Sequence, residues 1–140
     1  MYHRVQSWYA YEIGAVGTFF WAFGCGGGIG DSWASYTQPG TEYSPYFVSQ
    51  TTTMHSKHSE ALREGVQDYE YMVMLQKRIG ELRKQGKPQA ADRAQDELDK
   101  VFNETIAKLA KNVGNWYVPK DFDILDKARV RILEILNNVK

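Results

Sequence analysis

The stretch SEALREGVQDYEY, residues 59–71, decides the fold of this chain. Three of its carboxylates are spaced four residues apart, so they lie along one face of a helix. Like charges at this spacing repel by about 0.2–0.5 kcal/mol per pair, so a cation from this helix or from a neighbouring strand should offset them. Gly65, in the middle of the helix, costs about 1 kcal/mol relative to alanine and indicates close packing against another element. The predicted ion-pair network consists of Glu60, Arg63, Glu64 and Asp68.

Helical periodicity continues on both sides of this stretch. Ser56 is suited to cap the helix, and Gly86 is suited to end it. A second helix begins near Pro88, where proline fits the first turn, and a third helix occupies the last residues of the sequence. A shorter helix over residues 4–13 comes first in the chain and is ended by Gly14.

A buried strand is predicted between the first two of these helical segments. Residues 16–23, VGTFFWAF, form a short apolar run between glycines, which is typical of a strand in a parallel sheet. Residues 24–55 then form a long aromatic connection, and such connections are usually functional. Helix, strand, long loop and helix follow one another in (β/α) barrels, whose active sites lie at the C-terminal ends of the strands. We therefore predict an α/β fold, namely the C-terminal fragment of a (β/α)8 barrel with one or two strands in this chain. Residues 1–85 would hold the last strand, the active-site loop and the closing helix, and residues 86–140 a helical hairpin.

Three patterns invite a chemical interpretation, and each has a better structural one. The carboxylates of residues 59–71 could form a catalytic pair, but the helices of a barrel lie outside its chemistry. The glycine cluster GCGGGIG lacks the spacing of a dinucleotide-binding loop and precedes no convincing helix. His55 and His58 lie near two glutamates at a helix start but lack the ligand spacing of a zinc site. We therefore predict no metal and no cofactor.

Composition excludes several classes of function. The chain has 17 basic and 17 acidic side chains, so no positive excess is available to neutralise nucleic-acid phosphates. A hydrophobic fraction of 43% excludes a disordered chain. The uncharged run from Ile13 to Ile29 is rich in glycine and barely reaches the length of a membrane-spanning helix. We predict neither a nucleic acid nor a membrane as a partner. Cys25 is the only cysteine, so no disulfide can form within the chain.

Aromatic side chains gather in and just before the long loop, at the functional face of the predicted barrel. Tryptophan and tyrosine rings bury apolar area and keep a polar group. Sugar rings present apolar C–H faces between their hydroxyls, so an aromatic cluster with acidic neighbours suits a carbohydrate. Simple packing within the loop is the alternative. The candidate substrate-binding residues are Trp21, Asp31, Trp33 and Tyr36.

Two stretches, Arg4–Phe23 and Ser56–Leu75, resemble a known family. The first contains R-x-x-x-W-x-A-x-x-x-G followed by a strand with F-W-A-F, and the second reads S-x-x-x-E-A-L-R-E-G-x-x-D-Y-E-Y. Together with a weaker match in the last helix, they resemble the C-terminal part of the catalytic barrel of family 123 glycoside hydrolases. The segment LREGVQDYEY is the most specific part of this resemblance.

The resemblance implies hydrolysis of the glycosidic bond of an N-acetylhexosaminide, typically β-linked N-acetylgalactosamine. In similar enzymes the acetamido oxygen of the substrate attacks the anomeric carbon, and an adjacent Asp-Glu pair positions that group and acts as general acid; such substrate-assisted enzymes depart from the two-carboxylate scheme. The family's pair comes from an earlier strand, whereas the only Asp-Glu here, Asp96-Glu97, lies in a solvated helical pattern. The resemblance thus implies no catalytic residue in this chain, an inactive isolated chain, and the remainder of the barrel upstream as its partner. A secreted or periplasmic location suits the family.

Two other functions are compatible with the sequence. The apolar stripes over residues 91–113 and 124–139 suit an antiparallel helix pair, as in a non-catalytic interaction module. A carbohydrate-binding protein with a degenerate active site would bind sugar without turning it over. Coding sequence for further strand–helix units with an Asp-Glu pair upstream of Met1 would favour the hydrolase over the interaction module.

Overall fold

The computed structural model describes residues 2–19, 45–110 and 123–139. Within these ranges the chain is mainly helical and carries one small sheet, an arrangement compatible with the α/β class. The helices are α1 (Tyr2–Glu12), α2 (Lys57–Lys84), α3 (Pro88–Ala110) and α4 (Ile124–Asn138). Two strands, β1 (Tyr46–Val48) and β2 (Thr53–His55), pair in antiparallel register.

The helix boundaries follow from the residues that stand there. Ser56 caps α2, and its hydroxyl accepts a hydrogen bond from the His58 amide at 3.0 Å. Gly14 after α1 and Gly86 after α2 adopt φ values of 65° and 74°, and paired backbone hydrogen bonds to the last helical turn reverse the chain at both positions. Pro88 begins α3, where its missing amide loses no hydrogen bond. The predicted helix limits at these positions are confirmed.

One hydrophobic core is shared by α1, α2, α3 and α4. Its members recur at helical spacing, so each helix turns one side toward the others. The largest fully buried apolar side chains are Trp8, Met72, Leu75, Ile79, Leu82, Leu98, Val101, Leu125 and Ile132. Trp8 is the main contribution of α1 to this core.

Helices α1 and α2 run in the same direction. Near the start of α1, the ring of His3 lies 5.1 Å from the ring of His58. Near its end, the ring of Tyr11 lies 5.9 Å from the ring of Tyr69. The contacting positions therefore advance together along the two helices. A parallel pair needs a connection that returns the chain to its starting end, and residues 13–56 form that connection.

Helix α4 also runs with α2, whereas α3 runs against both. Arg129 near the start of α4 contacts Asp68, and the Val139 carbonyl just after α4 accepts a hydrogen bond from Arg78 Nε at 2.6 Å. The tight turn at residues 85–87 sends α3 back along α2. Consecutive helices α2, α3 and α4 thus alternate in direction, and the short turn at residues 85–87 favours this for the first pair.

The strand predicted over residues 16–23 is wrong for its described part. Residues 16–19 follow α1 without regular structure. Val16 and Phe19 are strongly exposed. A buried parallel strand needs partners at its edges, and the described residues supply none at this position. Residues 20–23 lie outside the described residues.

The loop predicted over residues 24–55 is wrong in its last part, because residues 46–55 form the β1–β2 hairpin. The Ser49 hydroxyl accepts a hydrogen bond from the Thr52 amide at 3.0 Å, and the Ser49 amide donates to the Thr52 carbonyl at 2.8 Å. These bonds close the turn between the two strands. Residues 24–44 lie outside the described residues.

Candidate functional site

The four candidate sugar-binding residues lie outside the described residues. They are Trp21, Asp31, Trp33 and Tyr36. The described helices on either side of that segment carry two features of interest. One is a buried ion-pair network that joins α1, α2 and α4, and the other is an exposed apolar side of α2.

Asp68, in the middle of α2, is the centre of the buried network, and its side chain is 0% exposed. One carboxylate oxygen accepts hydrogen bonds from Arg4 Nε at 2.7 Å and from Trp8 Nε1 at 2.9 Å. The other oxygen accepts from Arg129 Nε. Charge-assisted bonds of this kind are stronger than neutral ones. The Asp68 network consists of Arg4, Trp8, Glu64, Asp68, Asp126 and Arg129.

Arg4 of α1 forms ion pairs with two carboxylates, those of Asp68 and Asp126. Besides Asp68, it donates through Nη1 to Asp126 Oδ1 at 2.6 Å, and its side chain is almost buried. Burial lowers the pKa of Arg4, but the hydrogen bonds to Asp68 and Asp126 outweigh it, so the pKa lies above its ordinary value. The guanidinium therefore stays charged and always requires its carboxylate partners.

Arg129 of α4 joins a second carboxylate of α2 to the network. It donates to the side chain of Glu64 and, at 3.0 Å, to the Glu64 backbone carbonyl. Burial raises the pKa of Glu64, but the hydrogen bond and charge of Arg129, with the charges of Arg4 and Arg63, outweigh it. The pKa of Glu64 therefore lies below its ordinary value, and Glu64 is held as an anion.

The ion-pair network predicted from the sequence divides into an exposed and a buried part. Glu60 and Arg63 pair at 2.8 Å on the solvent side, where each side chain is more than half exposed. Asp68 is instead neutralised by Arg4 and Arg129. Arg63 of the same helix pairs with Glu60 and Glu64, as expected, whereas the two cations that neutralise Asp68 stand on other helices.

Sequence reasoning missed Arg4, Trp8, Asp126 and Arg129. Arg4 and Trp8 are four residues apart in R-x-x-x-W, so they share one side of α1, and that spacing was a usable signal. Asp126 and Arg129 share one side of α4 in the same way. Nothing in the sequence, however, says which side of α4 meets Asp68.

Gly65 lets α1 approach α2 closely, and the close packing predicted for it is confirmed. A Cβ at this position would lie 2.8 Å from the Arg4 carbonyl oxygen and 2.9 Å from Ser7 Oγ. Both distances are too short for van der Waals contact, so a side chain here would displace α1. This approach brings Arg4 within reach of Asp68.

The geometry of the Asp68 network favours a structural role over a catalytic one. A general acid or nucleophile must come within hydrogen-bond reach of its substrate, whereas the Asp68 carboxylate is fully buried and both of its oxygens accept hydrogen bonds from other helices. What this arrangement does is fix α1 and α4 against α2.

The histidines near the start of α2 do not converge on one point. His58 packs edge-on against His3, and His55 Nδ1 lies 3.3 Å from the hydroxyl of Ser59. In the described ranges, no group of three or more histidine, cysteine, aspartate and glutamate side chains is placed to hold a metal ion.

Helix α2 has a second apolar side, which we call the outer face. Its residues are Leu62, Val66, Tyr69 and Val73. At 3.6 residues per turn they lie on one side of the helix, roughly 120° around it from the buried row that includes Leu75. Val66 is 56% exposed and Val73 is 40% exposed, whereas Leu75 is 0% exposed. Helix α2 is therefore apolar on two sides, and the outer face is covered only in part: Tyr69 packs against the ring of Tyr11, whereas Val66 and Val73 are exposed.

The segment after α1 lies beside the outer face. Residues 15–18 line a cleft of about 170 Å³ together with Val66, Tyr69 and two residues of α1. Ile13 and Phe19, at either end of this segment, are 75% and 81% exposed. The chain thus passes the outer face as it leaves α1.

Comparison of the chain with protein-family models, with curated proteins and with solved structures found no match in any of the three. Within the described ranges, no helix combines the length and the apolarity that crossing a membrane would require.

Proposed function

We propose that this chain is the C-terminal portion of a glycoside hydrolase that acts on N-acetylhexosaminides, with β-linked N-acetylgalactosamine as the typical substrate. The catalytic Asp-Glu pair belongs to the preceding part of the barrel, so the isolated chain is inactive. The chain contributes aromatic surface for the sugar ring from Trp21 and Trp33, and hydrogen-bonding groups from Asp31 and Tyr36. The resemblance of residues 56–75 to family 123 glycoside hydrolases supports this assignment.

The common direction of α1 and α2 is the observation that carries the proposal. In (β/α) units each strand returns the chain between two helices, so consecutive helices run parallel. In a bundle with short loops, consecutive helices run in opposite directions, as α2, α3 and α4 do. The connection between α1 and α2, residues 13–56, contains the four candidate sugar-binding residues; of the predicted strand, residues 20–23 lie outside the described residues and stay a prediction.

The Asp68 network supports the proposal because it fixes both ends of that connection. Arg4 and Trp8 belong to α1, which precedes the connection, and Asp68 belongs to α2, which follows it. The hydrogen bonds between them hold the two helices together. A binding segment with fixed ends loses less conformational freedom when it takes up a ligand. In the proposed enzyme the network therefore acts at a distance from the sugar, through the helices that frame the loop.

Hydrolysis of 4-nitrophenyl N-acetyl-β-galactosaminide tests the proposal. The 140-residue chain is compared with a longer protein that includes all coding sequence upstream in the same reading frame. We expect the longer protein to release nitrophenol, and Trp21→Ala to lower its turnover about tenfold or more, since the sugar loses an aromatic surface. Circular dichroism confirms that the variant is folded. Absence of hydrolysis by the longer protein, or unchanged turnover in a folded Trp21→Ala variant, would contradict the proposal. Sugar binding without turnover would indicate a carbohydrate-binding protein instead.

A second candidate function is a non-catalytic helical interaction module. The shared core of α2, α3 and α4 favours it, because three alternating helices can fold around their own interior. An upstream region without coding sequence, together with a sharp two-state melt of the 140-residue chain, would favour the module over the hydrolase.

A further inference from the structure

We propose that Ser56 is a positioning residue for sugar binding, because it holds the chain at Pro45, the residue that directly follows segment 20–44. The inference rests on the proposed function, since that segment contains the four candidate sugar-binding residues. In this role Ser56 acts through the Pro45 carbonyl and through the start of α2.

Two hydrogen bonds join Ser56 to Pro45. The Ser56 hydroxyl donates to the Pro45 carbonyl oxygen at 2.8 Å, and the Ser56 amide donates to the same oxygen at 3.2 Å. Both residues are buried. Hydrogen bonds are stronger in the low dielectric of a protein interior than in water. The end of the segment is therefore tied to the residue that begins α2.

Neighbouring hydrogen bonds hold Ser56 itself in place. Its hydroxyl also accepts from the His58 amide at 3.0 Å, and its carbonyl accepts from the hydroxyl of Ser59, a buried residue in the first turn of α2, at 2.8 Å. Helix α2 is fixed in turn by the shared core and by the Asp68 network. Ser56 thus transmits the position of the helix bundle to Pro45.

The β1–β2 hairpin depends on the same two residues. Tyr46 pairs with His55, so Pro45 and Ser56 form the base of the hairpin next to this pair. A two-stranded hairpin is marginally stable on its own. Its bonds at the base to the start of α2 therefore also place the hairpin relative to the helices.

The expected consequence concerns binding and not the chemical step. A binding segment with a fixed end loses less conformational freedom when it takes up a ligand. The catalytic Asp-Glu pair of the proposed enzyme lies in the preceding part of the barrel. Loss of the bond from the Ser56 hydroxyl to Pro45 should therefore raise KM and leave kcat unchanged.

Three substitutions separate this role from the capping of α2. Ser56→Asp keeps an oxygen that caps the helix but has no hydrogen to donate to Pro45 when ionised; Ser56→Ala loses both functions, and Ser56→Thr keeps both. Hydrolysis of 4-nitrophenyl N-acetyl-β-galactosaminide is measured in the longer protein. We expect KM to rise about threefold or more in Ser56→Asp and Ser56→Ala, the scale of one hydrogen bond, and to stay at the wild-type value in Ser56→Thr. In urea unfolding of the 140-residue chain, Ser56→Ala should be less stable than Ser56→Asp, since it alone loses the cap.

The other outcomes distinguish this inference from the proposed function. An unchanged KM in a folded Ser56→Asp variant would overturn the positioning role and leave the hydrolase assignment intact. A KM for Ser56→Thr as high as that for Ser56→Ala would also overturn it, because the hydroxyl would then not be the group that matters. Absence of hydrolysis by the longer wild-type protein would contradict the proposed function and, with it, the role of Ser56 in sugar binding.

Discussion

The inner and outer sides of α2 are both apolar, but the described part of the chain buries the inner side and covers the outer side only in part. On the inner side, Met72 and Leu75 are 0% exposed and Asp68 accepts hydrogen bonds from α1 and α4. On the outer side, Val66 is 56% exposed and Val73 is 40% exposed. Apolar periodicity alone therefore does not determine which apolar side of a helix is buried.

Asp68→Ala should lower the stability most, because it removes the carboxylate at the centre of the Asp68 network. The substitution leaves Arg4 and Arg129 without their shared carboxylate. Breaking a buried ion pair by removing one partner costs about 3–5 kcal/mol of unfolding free energy. Urea unfolding followed by circular dichroism measures the loss, with Glu60→Ala on the solvent side as the control. Similar losses for both variants would contradict the division of the network into a buried and an exposed part.

Met72→Ala and Val66→Ala compare the two sides directly. Met72 is fully buried, so its truncation should cost about 2–5 kcal/mol. Val66 is more than half exposed in the 140-residue chain, so its truncation should change stability by no more than about 0.5 kcal/mol. Urea unfolding of the two variants tests this, and a large loss for Val66→Ala would show that the outer face is already covered.

Gly65→Ala sharpens the comparison at the contact between α1 and α2. The added methyl group would meet the Arg4 carbonyl oxygen at 2.8 Å, so we expect a loss of about 1–3 kcal/mol. Gly80→Ala is the matched control on the same helix, because a Cβ there meets nothing within 4 Å. The control should gain up to about 1 kcal/mol from helix propensity. Thermal unfolding distinguishes them, and a gain at both positions would refute the close approach of α1.

Glu64→Gln should have the smallest effect, and its effect should depend on pH. The pKa of Glu64 is lowered in the folded chain from an ordinary value of 4.5. A lowered carboxylate pKa contributes stability that is present above 4.5 and is lost as the pH falls through the folded value. The stability difference between wild type and variant should therefore shrink when urea unfolding is repeated at about pH 3 instead of about pH 7. An equal difference at both pH values would contradict the role of Arg129 in holding this carboxylate ionised.

Much of the fold was predictable because its determinants are local. Ser56, Gly86 and Pro88 set helix limits through the chemistry of capping and turns, and each limit is where the sequence placed it. The hairpin at residues 46–55 was missed because its strands are only three residues long and lie within a stretch that was interpreted as one long loop. The strand over residues 16–23 was assigned from composition, but a strand forms only where a neighbouring strand accepts its hydrogen bonds.

The candidate site was less predictable, because its decisive contacts join distant parts of the chain. The spacing of the carboxylates in α2 and the mid-helix Gly65 indicated a network and a close neighbour. The identities of the neutralising side chains, Arg4 and Arg129, depend on how α1 and α4 are turned about their axes, which periodicity alone does not determine. The predicted sugar-binding residues lie outside the described residues and stay predictions.

The parallel course of α1 and α2 is the central claim, and a distance measurement between spin labels tests it most directly. Labels are attached to Glu12→Cys with Lys77→Cys, and to Glu12→Cys with Lys57→Cys, in a Cys25→Ser background. Positions 57 and 77 lie about 30 Å apart along α2 at 1.5 Å per residue. Since Tyr11, Glu12 and Gln76 line one cleft, we expect the 12–77 distance to be shorter than the 12–57 distance by more than about 10 Å. A 12–57 distance that is equal or shorter would contradict the parallel pair, and with it the support for a (β/α) fold.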